Sequence, residues 1–228
     1  MAGRATGALD LGPVAGANRL VDSIAGRLKH AIIDGTLAPG TQLSVPALAR
    51  TLAVSRSPVR EAVLQLVGHG LAVEQPRRGV VVATVDQEDL VRIHEIREYL
   101  EAAAARYCAE RIADRSIATL EATLVRQKQA VDAADAQLYY ESNAELHRLI
   151  AEGAGNPGLV RMLEHLEGQM AIALRRISTS RAHMRSGYRE HVQIVSQLRA
   201  RDAAKAEGAM RAHIAATLAR VRQQQAAD

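Results

Sequence analysis

The chain has 228 residues, 48% of them hydrophobic and 24% charged, which is enough for one large domain or two small ones with buried cores. Its single cysteine, Cys108, excludes an intramolecular disulfide and a cysteine-based zinc site, and it favours a reducing, cytoplasmic location. No apolar run approaches the length of about 20 residues needed to cross a bilayer, so the composition predicts a soluble protein.

The formal net charge is +4, and all of the excess lies in the N-terminal third. Residues 1–85 carry 9 Lys/Arg against 5 Asp/Glu, whereas residues 86–228 carry 20 of each. This asymmetry favours a polyanionic partner for the first part, although a merely solvated surface would give the same count. The character of the sequence also changes near residue 85. We therefore predict a disordered tail over 1–17, a small domain over 18–85 and an all-helical domain over 86–228.

The small domain begins with three predicted helices. A helix over about 18–34 is indicated by an apolar stripe with a period of four residues: Leu20, Ile24, Leu28 and Ile32. After a turn at Pro39–Gly40, Ser44 is a suitable N-cap for a short second helix. Ser55 is a suitable N-cap for a third helix, which ends at Gly68 and Gly70. The predicted inner face of this third helix consists of Val59, Val63 and Leu66.

Two short strand-forming runs follow, "LAVE" and "VVVATV", around the basic turn "QPRRG". A helix, a helix–turn–helix and then a hairpin is the order of a winged helix–turn–helix. Arg56 and Arg60 lie one turn apart on the third helix and must point outward, because the inner face would bury their charges. Arginines at the start of a recognition helix can pair bidentately with guanine in the major groove. Solvated arginines on an ordinary amphipathic helix are the alternative.

Residues 35–83, "GTLAPGTQLSVPALARTLAVSRSPVREAVLQLVGHGLAVEQPRRGVVVA", resemble the DNA-binding domain of GntR-type bacterial transcription regulators. The "SRSPVREAV" core and the preceding "PG" carry this resemblance. It implies operator contacts from the third helix and from the tip of the hairpin, at Ser55, Arg56, Ser57, Arg60, Arg77, Arg78 and Gly79. Pro46 departs from the pattern, because some members have a DNA-contacting arginine at this place.

In the second part, the hydrophobic periodicity predicts helices over roughly 86–112, 115–133, 136–152, 157–182, 186–200 and 203–224. His147, His191 and His213 each lie on a different helix, beside apolar positions, and Asn143 precedes His147 by one turn. Three imidazoles and an amide oxygen that converge inside a bundle would suit Zn²⁺ or Ni²⁺. The alternative for each of them is a half-buried histidine that makes an ordinary hydrogen bond.

Residues from about 86 to 222 resemble the all-helical FCD effector-binding domain of the FadR-type branch of the same family. The matching words are "NAELHRLIAEGAGNPGL" and "EHVQIVSQLRARDAAKAEGAMRAHI". The resemblance implies a divalent metal bound by Asn143, His147, His191 and His213, although metal-binding members more often have an aspartate in the place of Asn143. A neutral amide binds a cation more weakly than a carboxylate and leaves the site more positive.

The resemblance also implies a homodimer on palindromic double-stranded operator DNA and a small organic acid as effector. Arg97 is a candidate clamp for the carboxylate of that acid, with a structural ion pair to Glu101 as the alternative. The sequence therefore predicts a transcription regulator, most simply a repressor, and no enzyme. A regulator for which the metal itself is the signal, a purely structural metal and a helical-bundle metalloenzyme are the alternatives. The absence of Glu-x-x-His and "HExxH" patterns argues against the enzyme.

Overall fold

The computed structural model describes residues 17–174 and 180–225. The predicted disordered tail therefore lies outside the described residues, except for Ala17, where the first helix begins. Within the described ranges the chain forms nine helices and one two-stranded sheet. Their bounds are α1 (Ala17–Asp34), α2 (Val45–Leu52), α3 (Arg56–Gly68), β1 (Ala72–Gln75), β2 (Gly79–Val82), α4 (Gln87–Arg111), α5 (Asp114–Ala133), α6 (Ala136–Gly153), α7 (Pro157–Leu174), α8 (Arg181–Arg199) and α9 (Ala203–Gln225). The predicted fold class, a winged helix–turn–helix followed by a helical bundle, is confirmed.

The N-terminal head, formed by α1 to β2, has a core on which all three of its helices converge. Val59, Val63 and Leu66 are buried on the inner face of α3, as their spacing predicted. Burying each such side chain contributes about 1.5–3 kcal/mol. The strands β1 and β2 pair antiparallel, with Ala72 opposite Val82, and form the wing.

The predicted apolar stripe of α1 is wrong at one end. Leu20 is 44% exposed, and Val21 is buried in its place, beside Ile24 and Leu28. The reason is geometric: a helix has 3.6 residues per turn, so a period of four drifts by roughly 40° at each step. Over the three steps from Ile32 back to Leu20 the drift is roughly 120°, which turns Leu20 out of the core.

The bundle begins with α4, whose first turn is closed by a reciprocal capping box between Asp86 and Asp89. The long helices α4 and α9 pack along each other, and α5, α6 and α8 complete the core around Leu120, Leu146 and Ile194. No helix in the described ranges is both long enough and apolar enough to span a membrane.

The boundary between α7 and α8 differs from the prediction of helices over 157–182 and 186–200. Ser180 is extended, with φ −69° and ψ 152°, and its hydroxyl accepts a hydrogen bond from the backbone N–H of His183, so α8 begins at Arg181. Gly187, near the predicted start of this helix, lies within α8 and does not interrupt it. A Cβ at Gly187 would overlap the hydroxyl of Tyr139, so this glycine permits close helix packing.

The head and the bundle meet where α3 passes into β1. His165 Nδ1 on α7 donates a hydrogen bond of 3.0 Å to the carbonyl oxygen of Gly68. A Cβ at Gly168 would overlap the carbonyl oxygen of His69, and a Cβ at Gly70 would overlap that of His165. The backbones therefore approach as closely as glycine allows. Leu166 and Met170 of α7 belong to the same hydrophobic cluster as the core of the head.

Candidate functional site

The first candidate surface is the outer face of α3. Arg56 and Arg60 are both exposed there, whereas Val59, which lies between them in sequence, is buried. Ser55 is the N-cap residue, but its side chain makes no capping hydrogen bond, and the same is true of Ser44 at the start of α2. The two serines therefore occupy the predicted N-cap positions, but they do not make the side-chain hydrogen bonds that N-cap residues usually make. A helix start with unbonded N–H groups suits a phosphate oxygen.

The hydroxyl of Ser57 lies 3.4 Å from a carboxylate oxygen of Glu61, one turn later on α3. This long contact lies on the exposed side of α3.

The second candidate surface is the turn of the wing. Arg77, Arg78 and Gly79 are all exposed. Arg77 has φ 65° and Gly79 has φ 71°, so the turn places two residues in the left-handed region. Arg78 is anchored: its guanidinium donates to the side chain of Gln75 at 3.2 Å, and its carbonyl accepts from Gln42 Nε2 at 2.6 Å. The turn therefore presents two exposed cationic residues next to each other in sequence.

The third candidate site lies inside the bundle, where α6, α8 and α9 bring together His147, His191 and His213. One ring nitrogen of each lies within 4.8 Å of the corresponding nitrogens of the others. The Nε2 atoms of His191 and His213 are 3.2 Å apart. Burial is nearly complete, with side-chain exposures of 9% for His147 and 6% for His213, and a residue exposure of 0% for His191.

Each of the three rings has its Nδ1 atom held by a side-chain oxygen from another helix. Glu101 of α4 accepts from His147. Gln127 Oε1 of α5 accepts from His191 at 2.8 Å. Glu190 Oε2 of α8 accepts from His213 at 2.7 Å. Because Nδ1 is used in this way, Nε2 is the atom that each ring has left for a ligand, which is the usual arrangement around metal-bound histidines.

Two arginines balance the two carboxylates of this outer layer. Arg97 forms a buried ion pair with Glu101, with Nε 2.7 Å from Oε1. Arg220 donates to both oxygens of Glu190, at 3.0 and 3.2 Å. Although burial alone would raise the pKa of Glu101, Arg97 and His147 hold it well below its ordinary value. Burial likewise opposes ionisation of Glu190, but hydrogen bonds from His213 and Arg220 lower its pKa to about 2.

Burial lowers the pKa of His191 well below its ordinary value, and burial also lowers the pKa of His213. Both rings are therefore neutral at neutral pH. If both Nδ1 atoms carry the proton, the two Nε2 lone pairs face each other at 3.2 Å, which is unfavourable without a cation between them. The donor set is thus suited to a metal ion.

A cavity of about 110 Å³ opens beside the cluster. Its wall includes His147 and His213 together with Asn143, Arg97 and Arg220. Asn143 and Arg97, which the sequence singled out, thus lie at the same cavity as the histidines. Arg97 is the predicted ion-pair partner of Glu101 and also a wall residue, and its Nη1 lies 2.6 Å from Met170 Sδ of α7.

The sequence reasoning missed the residues that hold the histidines. The sequence predicts Glu101 only as a partner of Arg97, and it predicts no role for Gln127, Glu190 or Arg220. Glu190 directly precedes His191 in sequence, so its position next to a predicted metal ligand could have indicated that it lies near the site. Gln127 lies 64 positions from His191 in sequence, and no local pattern connects them.

A winged head joined to a helical bundle with a polar cavity is the architecture of a transcription regulator that binds DNA through its head. Comparison with known families supports this class. A family model described as "FCD domain" matches residues 92–216, and one described as "Bacterial regulatory proteins, gntR family" matches residues 20–82. The chain belongs to the GntR family of bacterial regulatory proteins, in the branch that carries an FCD domain. Its relatives are regulators rather than enzymes, which excludes the metalloenzyme alternative.

Several Escherichia coli proteins are similar over most of the chain. The transcriptional repressor RspR is 28% identical over 200 residues, which cover 86% of each protein. The transcriptional repressor GlaR is 29% identical over 195 residues, covering 82% of this chain and 89% of GlaR. The solved structure of McbR/YncC superposes with a TM-score of 0.74 at 26% identity, covering 90% of this chain and 98% of that one.

Proposed function

We propose that this regulator is a cytoplasmic repressor that binds a palindromic operator as a homodimer, and that a small organic acid at a metal ion in the bundle controls its operator affinity. The observation that carries the proposal is the convergence of His147, His191 and His213, each with Nδ1 held by another helix. A purely structural cluster has no need to bring one ring nitrogen of each of three histidines within 4.8 Å of the others.

The residues fit a divalent ion such as Zn²⁺ or Ni²⁺. Two nitrogens that each lie about 2.0–2.1 Å from a tetrahedral zinc are roughly 3.3 Å apart. The Nε2 atoms of His191 and His213 are separated by 3.2 Å, which agrees with this spacing. His147, His191 and His213 would hold the ion, with Asn143 as an additional oxygen ligand. The ion would act as a Lewis acid that attracts a carboxylate.

The charge around the site favours an anionic effector. Among the described residues that contact the histidines or their partners, Arg97 offsets Glu101, and Arg220 offsets Glu190. Asn143 adds no charge where an aspartate would add one. A bound divalent ion would therefore keep its positive charge uncompensated until an acid binds, and Arg97 and Arg220 of the cavity wall could pair with its carboxylate.

DNA binding is assigned to the head. Arg56 and Arg60 would face base edges, the hydroxyls of Ser55 and Ser57 would face phosphates, and the wing would reach the adjacent groove through the turn at 77–79. Dimerisation is assigned to the bundle: α4 exposes Ile96 and Tyr99, and α7, which packs on α4, exposes Met162. A two-fold dimer matches two operator half-sites.

Helix α7 offers the route from the cavity to the head. Met170 contacts Arg97 at the cavity, and Gly168, two positions earlier, packs directly on His69 after the recognition helix α3. An acid that moves Arg97 would therefore displace α7 at the point where it touches the head. The change in operator affinity that such an effector causes cannot exceed the difference in its binding free energy for the DNA-binding and non-binding conformations. This difference is typically 1–3 kcal/mol.

The test is fluorescence anisotropy of the full chain on its promoter DNA, titrated with small carboxylates in the presence and absence of Zn²⁺ or Ni²⁺. Release by an acid only when metal is present supports the proposal. Release by metal alone would make the metal the signal. The His213→Ala variant should bind the operator but lose the response to the acid. A variant that responds like the wild type would place the effector elsewhere.

A further inference from the structure

His94 is a fully buried histidine that neither the ion-pair network nor the metal proposal uses. It lies on α4, one turn before Arg97, with an exposed fraction of 0%. Its ring lines the same cavity as Arg97, His147 and His213. It is not part of the metal-binding group, because the nitrogens within 4.8 Å of one another are those of His147, His191 and His213.

The hydrogen bonding of His94 defines its tautomer. Nδ1 lies 2.8 Å from the carbonyl oxygen of Leu90. A carbonyl oxygen can only accept, so Nδ1 must carry a proton. Burial, reinforced by the positive charge of Arg97, lowers the pKa of His94 to about 4, and the ring is therefore neutral at neutral pH. Nε2 consequently has a lone pair and no hydrogen.

That lone pair has no partner among the described residues. Nε2 of His94 is a buried atom to which none of them donates a hydrogen bond. A buried acceptor without a donor loses its hydrogen bond to water and gains nothing in return, so such atoms are rare unless a ligand or another group satisfies them. Because Nδ1 points back along the helix to Leu90, Nε2 lies on the other side of the ring.

We propose that His94 Nε2 accepts a hydrogen bond from a hydroxyl group of the effector, which makes the effector a hydroxycarboxylic acid. The inference rests on the proposed function and specifies the class of acid. A carboxylate cannot fill this place, since it offers only acceptors to an acceptor. An ammonium group is disfavoured by the guanidinium of Arg97 one turn away. A hydroxyl supplies the donor without the charge.

Both functional groups of such an acid would lie in one cavity of about 110 Å³, whose wall includes His94 as well as His147 and His213. The carboxylate would occupy the part near His147 and His213, and the hydroxyl would reach His94.

Matched pairs of acids test this subsite: glycolate with acetate, lactate with propionate, and malate with succinate. Binding of each to the nickel-loaded full chain is measured by calorimetry. We expect the hydroxy acid of at least one pair to bind roughly tenfold to a hundredfold more tightly than its partner, because the partner leaves Nε2 unsatisfied. In His94→Phe that preference should vanish while the acid without the hydroxyl keeps its affinity.

Two controls accompany the variant. The first is the nickel content of the His94→Phe protein, which should equal that of the wild type. The phenyl ring has about the volume of the imidazole ring but removes the buried acceptor. His94→Gln retains an acceptor oxygen and should keep part of the preference, which separates hydrogen bonding from packing.

If His94→Phe still preferred the hydroxy acid, the inference would be overturned, because the hydroxyl would then be recognised by the metal ion and not by His94. Equal affinity of the wild type for both members of every pair would also overturn it, but would leave the acid-sensing function intact. If nickel-loaded wild type bound no acid at all, the proposed function itself would fail, and this subsite with it.

Discussion

Gly168 on α7 lies directly against the carbonyl oxygen of His69, so that the helix of one domain touches the backbone of the other with no side chain between them. This contact sits two positions from Met170, which touches Arg97 at the cavity. The junction is therefore both a packing contact and a direct connection between the candidate effector site and the end of α3.

Replacing Gly168 with alanine should lower the stability of the full chain. The added methyl group would overlap the His69 carbonyl, and overpacking of this kind costs about 1–3 kcal/mol. Gly208→Ala is the matched control, because Gly208 is also helical and a Cβ there meets nothing within 4 Å. That variant should be more stable by about 0.5–1 kcal/mol. Chemical unfolding that shifts both variants in the same direction would contradict the close packing at Gly168.

Arg60→Ala should weaken operator binding by about 1–3 kcal/mol and relax specificity at one base position. The side chain is exposed on α3, one turn after Arg56, so its loss should leave the fold intact. Arg115→Ala removes an exposed arginine from the bundle and serves as the control for net charge. Anisotropy titrations on the operator and on single-base variants measure both effects. Equal loss in the two variants would mean that Arg60 contributes only general charge.

Asn143→Asp should raise the affinity of the histidine cluster for a divalent ion. A carboxylate provides a negative ligand where the amide of Asn143, on the wall of the same cavity, is neutral. The gain should be roughly tenfold or more, because affinity follows the charge of the ligand set. Competition with a chromogenic chelator measures it. An unchanged affinity would show that residue 143 does not contact the ion.

The metal-free protein should lose stability as the pH falls from about 6.5 towards 4, in part through His94. The pKa of its ring falls from 6.5 to about 4 on folding, so below pH 6.5 the unfolded chain binds a proton that the folded chain excludes. Such a group stabilises the fold above pH 6.5 and loses that contribution on acidification, by up to about 1.4 kcal/mol per pH unit. Chemical unfolding of metal-free His94→Phe should show a shallower pH dependence. Parallel curves for the two proteins would mean that His94 is not neutralised by folding.

Much of the fold could be predicted from local sequence patterns. The inner face of α3, the wing hairpin and most helix bounds follow from periodicity, turn residues and glycines within short windows. Errors arose where a local pattern was compatible with two outcomes. Leu20 continues the four-residue stripe of α1 but faces solvent, and Gly187 looks like a break but packs under Tyr139 inside α8. Leu20 is turned outward by the 3.6-residue repeat of the helix itself. Gly187 is decided by its contact with Tyr139, which lies far outside any local window.

The sequence by itself determined a basic winged head, a helical second domain and the residue types available for each site, because these depend on neighbours along the chain. Only the tertiary structure decided that His147, His191 and His213 lie together, that Glu101 holds the first of them, and that His94 opens on the same cavity. Glu101 and His147 are 46 positions apart in sequence. Contacts at such separations depend on how whole helices pack, and side-chain periodicity within one helix does not specify the position or rotation of its neighbour.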